Sequence, residues 1–222
     1  MHDVIIIGSG LVGSAIAFDL VRMGLNVVGL ERERELGAGA SRSNSGILHT
    51  GFDSEVGTLE TELIRKQAER WPDIFNALNI PYDIPGALLL ARNSEETNRL
   101  ETIQQDAANN DVETRILSKE ETKRLEPNAV AKASLHIPGE AMPDPSEVMR
   151  RLLANIEVRT NTTVRAIEQE NEYLTIITNS ERLESRFVIN CAGLFADEFT
   201  NEFQITPRRG EFIVFEKGTS SL

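Results

Sequence analysis

Apolar residues run without a break from Val4 to Ile7 and stop at Gly8-Ser9-Gly10. They then recur at Val12, Ala15, Ile16 and Leu20, before a second run, Val27-Val28-Gly29-Leu30, that ends on Glu31. A short run, a recurrence every three to four residues and another short run predict a buried strand, an amphipathic helix and a second buried strand. Arg22 in the last helical turn and Gly24 just beyond it mark the helix stop.

Further along, Leu59, Leu63, Ile64, Ala68 and Trp71 follow helical spacing, and Pro72 predicts a kink or restart before Ile74, Phe75 and Leu78. Trp71 reads as a core residue rather than a stacking surface for a ligand. Ile80-Pro81-Tyr82-Asp83-Ile84-Pro85-Gly86 breaks the pattern, and Ala87 to Ala91 reads as a strand. Ser94, backed by Glu95 and Glu96, starts a helix that fades at Asn109-Asn110. Ser118-Lys119-Glu120-Glu121 fits a capping box for a short helix ended by Pro127. Asp144-Pro145-Ser146-Glu147 repeats the device ahead of the stripe Val148, Met149, Leu152 and Leu153.

Three strand-like runs follow: Ile156 to Arg159 continuing through Val164 to Ile167, then Tyr173 to Thr178, then Arg182 to Ile189. Separated by polar turns, they predict an antiparallel meander between parallel strands. Glu211 to Glu216 is a last strand. The fold class is therefore α/β: a Rossmann-like dinucleotide-binding fold with a parallel sheet and an antiparallel meander, joined to part of an α+β domain. The pattern breaks divide the chain into a first dinucleotide-domain segment over 1–80, a second-domain segment over 81–140 and a return to the first domain over 141–205.

The glycines of the first turn carry the candidate chemistry. Gly8 suits a tight turn, Gly10 lets backbone approach a pyrophosphate, and Gly13 lets helix and strand pack closely. The helix N-terminus behind Gly10 directs free N–H groups at phosphate. Glu31 stands about twenty residues further on, where a carboxylate accepts bonds from ribose hydroxyls and repels a 2′-phosphate. Glycines at this spacing also occur in ordinary turns, but strand, turn, helix, strand and terminal Glu are in register here. The motif disfavours NADP and leaves NAD and FAD equally admissible.

Between Arg32 and Gly51 the chain is long, small-residued and rich in hydroxyls. Arg42, Asn44 and His49 among closely spaced glycines, with Ile47-Leu48 near the end, favour a loop wrapped round a ligand over a flexible linker. Arg42 is suited either to a charge-assisted bond with phosphate or substrate carboxylate or to a salt bridge with a neighbouring acid. His136 and His2 belong to no constellation.

Composition narrows the partners. Lys and Arg number 23 against 35 Asp and Glu, a net charge of -12, and no basic block occurs, so nucleic acid and anionic membrane are poor partners. Met1-His2-Asp3 leads straight into the first strand and no apolar run is long enough to span a bilayer, which points to the cytoplasm and to no integral membrane segment. The single cysteine, Cys191, rules out an internal disulfide and argues against a cysteine metal site; a buried, inert thiol is its expected state. No metal site is expected.

The chain resembles the FAD-dependent oxidoreductases of the D-amino-acid oxidase superfamily, in particular their glycerol-3-phosphate dehydrogenase and L-2-hydroxyglutarate oxidase branches. The likeness rests on the glycine fingerprint with Glu31, on Ser41 to Gly51, on Asn161-Thr162-Thr163-Val164, and on Val188 to Asp197. It implies FAD as cofactor, bound by Gly8, Gly10, Leu11, Val12, Gly13, Glu31, Arg32, Ser41, Arg42, Ser43, Asn44, Val164, Ala192 and Gly193. It also implies that 81–140 is the first segment of a substrate domain and that 206–222, from the likeness of Pro207 to Phe212, is the truncated start of further strands of that domain.

The activity so implied is hydride transfer to FAD from a small hydroxy compound such as glycerol 3-phosphate or a 2-hydroxy acid. His49 is then the candidate catalytic base, against the alternative that it only shapes its loop. An amino-acid oxidase of the same superfamily and a non-catalytic nucleotide-binding remnant are the competing readings. The electron acceptor, homo-oligomerisation and a partner subunit stay open. Members of this family run well beyond this length, so the chain is expected to be an N-terminal fragment or a truncated gene product.

Overall fold

A computed structural model describes residues 1–170 and 172–211. In chain order they form β1 (His2–Ile7), α1 (Leu11–Arg22), β2 (Val27–Leu30), α2 (Leu59–Leu78), β3 (Tyr82–Asp83), β4 (Ala87–Ala91), α3 (Ser94–Asn109), β5 (Arg115–Ser118), α4 (Lys119–Leu125), β6 (Ala133–Ile137), β7 (Met142–Pro143), α5 (Pro145–Leu152), β8 (Glu157–Arg159), β9 (Val164–Gln169), β10 (Leu174–Thr178) and β11 (Arg182–Asn190). Single 3-10 stretches lie at Ala40–Arg42 and Gly193–Phe199. The strand expected over 211–216 falls outside the described residues, apart from its first position.

Contacts divide the chain into two units. The first comprises Met1–Ser45, Leu78–Ile80 and Asp144–Arg209. Its sheet has the order β8-β2-β1-β11-β10-β9, with β8, β2, β1 and β11 parallel to their neighbours and β11, β10 and β9 antiparallel. One face packs Ile5, Ile7, Val28, Leu30, Val164 and Ile176. The other packs Val4, Ile6 and Val27 with Ala17 of α1 and Leu153. Burial on both faces is why β1 and β2 read as unbroken apolar runs rather than as alternation. This is the α/β sheet with an antiparallel meander that the pattern predicts, except that the meander ends the sheet instead of lying between parallel strands.

The second unit comprises Gly46–Ala77, Pro81–Pro143 and Gly210–Leu222. Its three-stranded antiparallel sheet, β4-β6-β5, packs Ala91, Ala133, Leu135 and Ile137 against Leu100 of α3. Trp71, Phe75 and Tyr82 meet edge to face, with centroids 4.8 to 5.9 Å apart, so Trp71 is committed to an aromatic cluster.

Several local expectations change. Residues 46–77, read with the first segment, group with the second unit. Leu48 bridges to Ala141, and the buried Asn110 amide donates to the carbonyls of Gly51 and Ser54 at 3.0 and 2.9 Å. The helix does not restart at Pro72: α2 passes through it from Leu59 to Leu78. The run from Ile156 to Ile167 is two strands at opposite ends of the sheet. The break comes at Thr160–Thr163, where Asn161 takes a left-handed φ of 54°. Asn93, not Ser94, caps α3 by accepting from Glu96 N–H.

The Ser118–Glu121 capping box forms as expected. At α5, Asp144 caps through Ser146 N–H, but the Glu147 carboxylate turns to Arg150 and Arg151 instead of closing a second box. Strands β5 and β6 are additions that no pattern above predicts.

Candidate functional site

The first unit carries a cleft of about 180 Å³ at the carboxyl ends of β1, β2 and β11. Gly8 leaves β1 at φ +96°, a value glycine adopts freely. A Cβ there would stand 2.3 Å from the Cys191 carbonyl oxygen, and one at Gly13 would stand 2.0 Å from the Gly8 carbonyl oxygen. Both glycines are therefore required by backbone packed on backbone.

Gly10 differs. Its Cβ would meet only the Ser41 hydroxyl, at 2.7 Å, and that hydroxyl accepts the Leu11 N–H at 2.9 Å. Gly10 supplies no side-chain cap and the first turn of α1 holds no acid, so Ser41 is what this helix end uses. Leu11, Val12 and Gly13 do not line the cleft, and Val12 is 67% exposed.

Glu31 ends β2 in the cleft wall, buried. One carboxylate oxygen accepts Ser9 N–H at 2.9 Å and the other accepts Glu33 N–H at 3.0 Å. Its backbone is clamped as well, donating to the Arg159 carbonyl and accepting Thr162 N–H. That clamp brings Thr162, Thr163 and the buried Val164 to the cleft. Arg32 lays its guanidinium 3.7 Å from the centre of the Phe195 ring, and both residues line the cleft, as do Ala192 and Gly193.

The remaining loop residues stand elsewhere. Arg42 ion-pairs with Glu35, which is the salt-bridge alternative of its two expected uses. Asn44 donates to the carbonyls of Ala40 and Ser41, folding the 3-10 turn that presents Ser41. Ser43 is exposed, and neither it, Arg42 nor Asn44 lines the cleft.

The Cys191 thiol lies half-buried in the wall, and that burial pushes its titration above the ordinary thiol value, as expected of an inert cysteine. Among the described residues no acidic, His or Cys cluster could hold a metal, and no helix is long and apolar enough to cross a membrane.

His49 belongs to the second unit. Its Nδ1 lies 3.3 Å from Oε2 of Glu140, which is 3% exposed. Glu140 escaped the sequence reading, as did Ser9, Thr162, Thr163 and Phe195. Thr162 and Thr163 sat inside a stretch already singled out, whereas nothing local marks Glu140 as the partner of a residue some ninety positions earlier.

The turn of glycines, Glu31 just after β2 and the returning Val164 meet at one cleft, and the sequence matches the family described as FAD dependent oxidoreductase over residues 3–221. The chain belongs to that family. Its relatives include a glycerol 3-phosphate dehydrogenase of Caloramator mitchellensis, 32% identical over all of this chain and 49% of its own length. A glycerol 3-phosphate oxidase of Mycoplasma pneumoniae is 31% identical over 96% of this chain and 61% of its own.

Among solved structures, the dithionite-reduced L-alpha-glycerophosphate oxidase of Mycoplasma pneumoniae with FAD bound superposes with a TM-score of 0.82 at 30% identity. The match covers 89% of this chain and 55% of that one. This FAD dependent oxidoreductase chain thus spans about half the length of the relatives it matches. A cleft of about 180 Å³ is smaller than the roughly 300–1,000 Å³ of a complete small-molecule pocket.

Proposed function

We propose that this chain holds the ADP end of FAD and serves an oxidoreductase whose substrate is a small hydroxy compound, glycerol 3-phosphate or a 2-hydroxy acid. The observation that carries the proposal is the buried Glu31 carboxylate at the end of β2, beside the glycine turn and the N-terminus of α1. Glu31 meets the ribose, Gly10 and the α1 N-terminus meet the pyrophosphate, and Val164 with Ala192 and Gly193 walls the remainder. When bound, FAD supplies the hydride acceptor. The hydroxyl being oxidised must also shed a proton, and His49 is the base that takes it. The glycerol 3-phosphate relatives favour that substrate class.

The test begins with FAD added to the purified chain. A bound flavin spectrum is the expected result, abolished in Gly10→Val; equal affinity in wild type and Gly10→Val overturns the placement of the cofactor. Turnover of glycerol 3-phosphate or 2-hydroxyglutarate with an artificial electron acceptor then tests the substrate class. Silence on both, with FAD bound, overturns that part alone.

A further inference from the structure

We propose that Glu140 is a positioning residue for His49: its buried carboxylate fixes the imidazole as the Nδ1–H tautomer and leaves Nε2 as the ring's proton acceptor. The inference rests on the reading of His49 as the base and says what makes it one.

The placement is specific. Glu140 precedes Ala141, and Leu48 precedes His49; Leu48 N–H donates to the Ala141 carbonyl at 2.8 Å, so the bridge sets the two segments side by side. The loop is fastened again at Thr50, whose backbone N–H and hydroxyl both donate to Oε1 of Glu140 at 2.8 Å. Gly139 makes room for this, since a Cβ there would come within 3.0 Å of the Thr50 methyl group. Oε1 is thus engaged by two donors, and the oxygen facing the imidazole is Oε2, 3.3 Å from Nδ1.

An ionised carboxylate only accepts, so Nδ1 must carry the proton, and a neutral imidazole with Nδ1–H accepts at Nε2. The side chains differ in the way such a pair requires: Glu140 is 3% exposed and takes two hydrogen bonds from Thr50, and His49 is 55% exposed. A surface ion pair would leave both partners wet; here the acid is a fixed part of the fold and the imidazole is the accessible member.

Glu140→Gln makes the proposal sharp. Thr50 N–H and its hydroxyl still need an acceptor, so the amide oxygen stays with them and the amide NH₂ faces Nδ1. Nδ1 must then accept, and the proton moves to Nε2. The substitution is nearly isosteric yet inverts the tautomer, which a purely structural role for Glu140 would not do.

The experiment is ¹⁵N NMR of the histidine-labelled chain, at a pH about two units above the ordinary imidazole value of ~6.5. His49 signals are assigned from the spectrum of His49→Gln. The expected result is a protonated Nδ1 in wild type and a protonated Nε2 in Glu140→Gln. A protonated Nε2 in wild type, which can be read even if the variant fails to fold, overturns the proposal, and so does an unchanged tautomer in a folded variant.

Where the FAD-loaded chain turns substrate over, Glu140→Gln and His49→Gln should both lower kcat by about 10²–10⁴-fold with KM little changed. The inverted tautomer together with an unaffected kcat in His49→Gln would sink the base assignment and leave the positioning by Glu140 standing.

Discussion

Ser41 Oγ accepts the Leu11 N–H at 2.9 Å, so a hydroxyl thirty residues downstream caps the first turn of α1. This bond separates the three glycines of the turn by what each must avoid. Alanine at Gly8 or Gly13 drives a Cβ into carbonyl oxygens 2.3 and 2.0 Å away, which cannot yield without moving β1 or β11. Alanine at Gly10 meets only the Ser41 side chain, which can rotate away at the loss of its bond to Leu11. Gly8→Ala and Gly13→Ala should therefore cost about 3 kcal/mol or prevent folding, and Gly10→Ala about 1 kcal/mol. Urea unfolding followed by circular dichroism decides it; equal losses at all three positions would contradict the assignment.

Glu31 is structural before it meets any ligand. Removing its carboxylate strands the buried Ser9 N–H along with that of Glu33, and an unsatisfied buried donor costs about 1–3 kcal/mol. Glu31→Ala should lose stability of that order in the absence of FAD. Glu31→Gln should lose less, because its one carbonyl oxygen can still satisfy one of the two donors. An unfolding midpoint in Glu31→Ala that matches wild type would show the turn to be held without this side chain, and any weaker FAD binding would then report ribose contacts alone.

The first β-α-β unit and the meander were legible because their signals are local: both-faces burial gives unbroken apolar runs, and polar turns separate the strands of the meander. The break inside 156–167 was not, because nothing in the short polar stretch Thr160–Thr163 marks a crossing of the sheet, and the left-handed φ of Asn161 shows only in the structure. At Pro72 the pattern allowed a kink or a restart, and the restart does not occur. A proline marks a missing donor, but a long helix with neighbours can carry it, and α2 does.

At the site, motif spacing singled out Gly8 and Glu31, and the family resemblance singled out Val164 and Ala192; all four line the cleft. Ser43, named through the resemblance, stands away from the cleft, and Arg42 takes the salt-bridge alternative, with Glu35. Strands β5 and β6 stayed hidden because they are short, and Ser134 and His136 interrupt the apolar run of β6.

The Glu147 carboxyl is held at about 2 by hydrogen bonds from Arg150 and then Arg151, well under the ordinary ~4.3 of an unfolded chain. A depressed acid contributes stability above its unfolded value, and that contribution is lost as pH falls toward the folded value. Wild type should thus lose more stability than Glu147→Gln on acidification from about pH 4.3 to about pH 2. The pair lies at the surface, with Glu147 only partly buried, so the difference should be small and should shrink with added salt. Urea midpoints measured across that range at low and high ionic strength provide the check. A wild-type advantage that persists unchanged down to about pH 2 would show that Arg150 and Arg151 do not hold the charge.

Among the described residues, Arg32 and Phe195 form the one contact in the cleft wall that couples a charge to a ring. The guanidinium lies 3.7 Å from the ring centre and is also paired with Glu33 at 3.1 Å. An exposed cation–ring contact contributes about 0.5–1 kcal/mol, and the competing acid places this one toward the lower value. Phe195→Leu keeps the wall apolar and removes the ring face, and Arg32→Met keeps the stem and removes the charge. In a double-mutant cycle on unfolding free energy, the two should couple by about 0.5 kcal/mol. Additive losses would mean that the ring and the guanidinium are neighbours without an interaction. If this wall receives the ADP end of FAD, Phe195→Leu should change ADP and FAD affinity by the same factor and leave FMN binding untouched. A variant that alters FMN binding instead would put the flavin, rather than the adenosine, against Phe195.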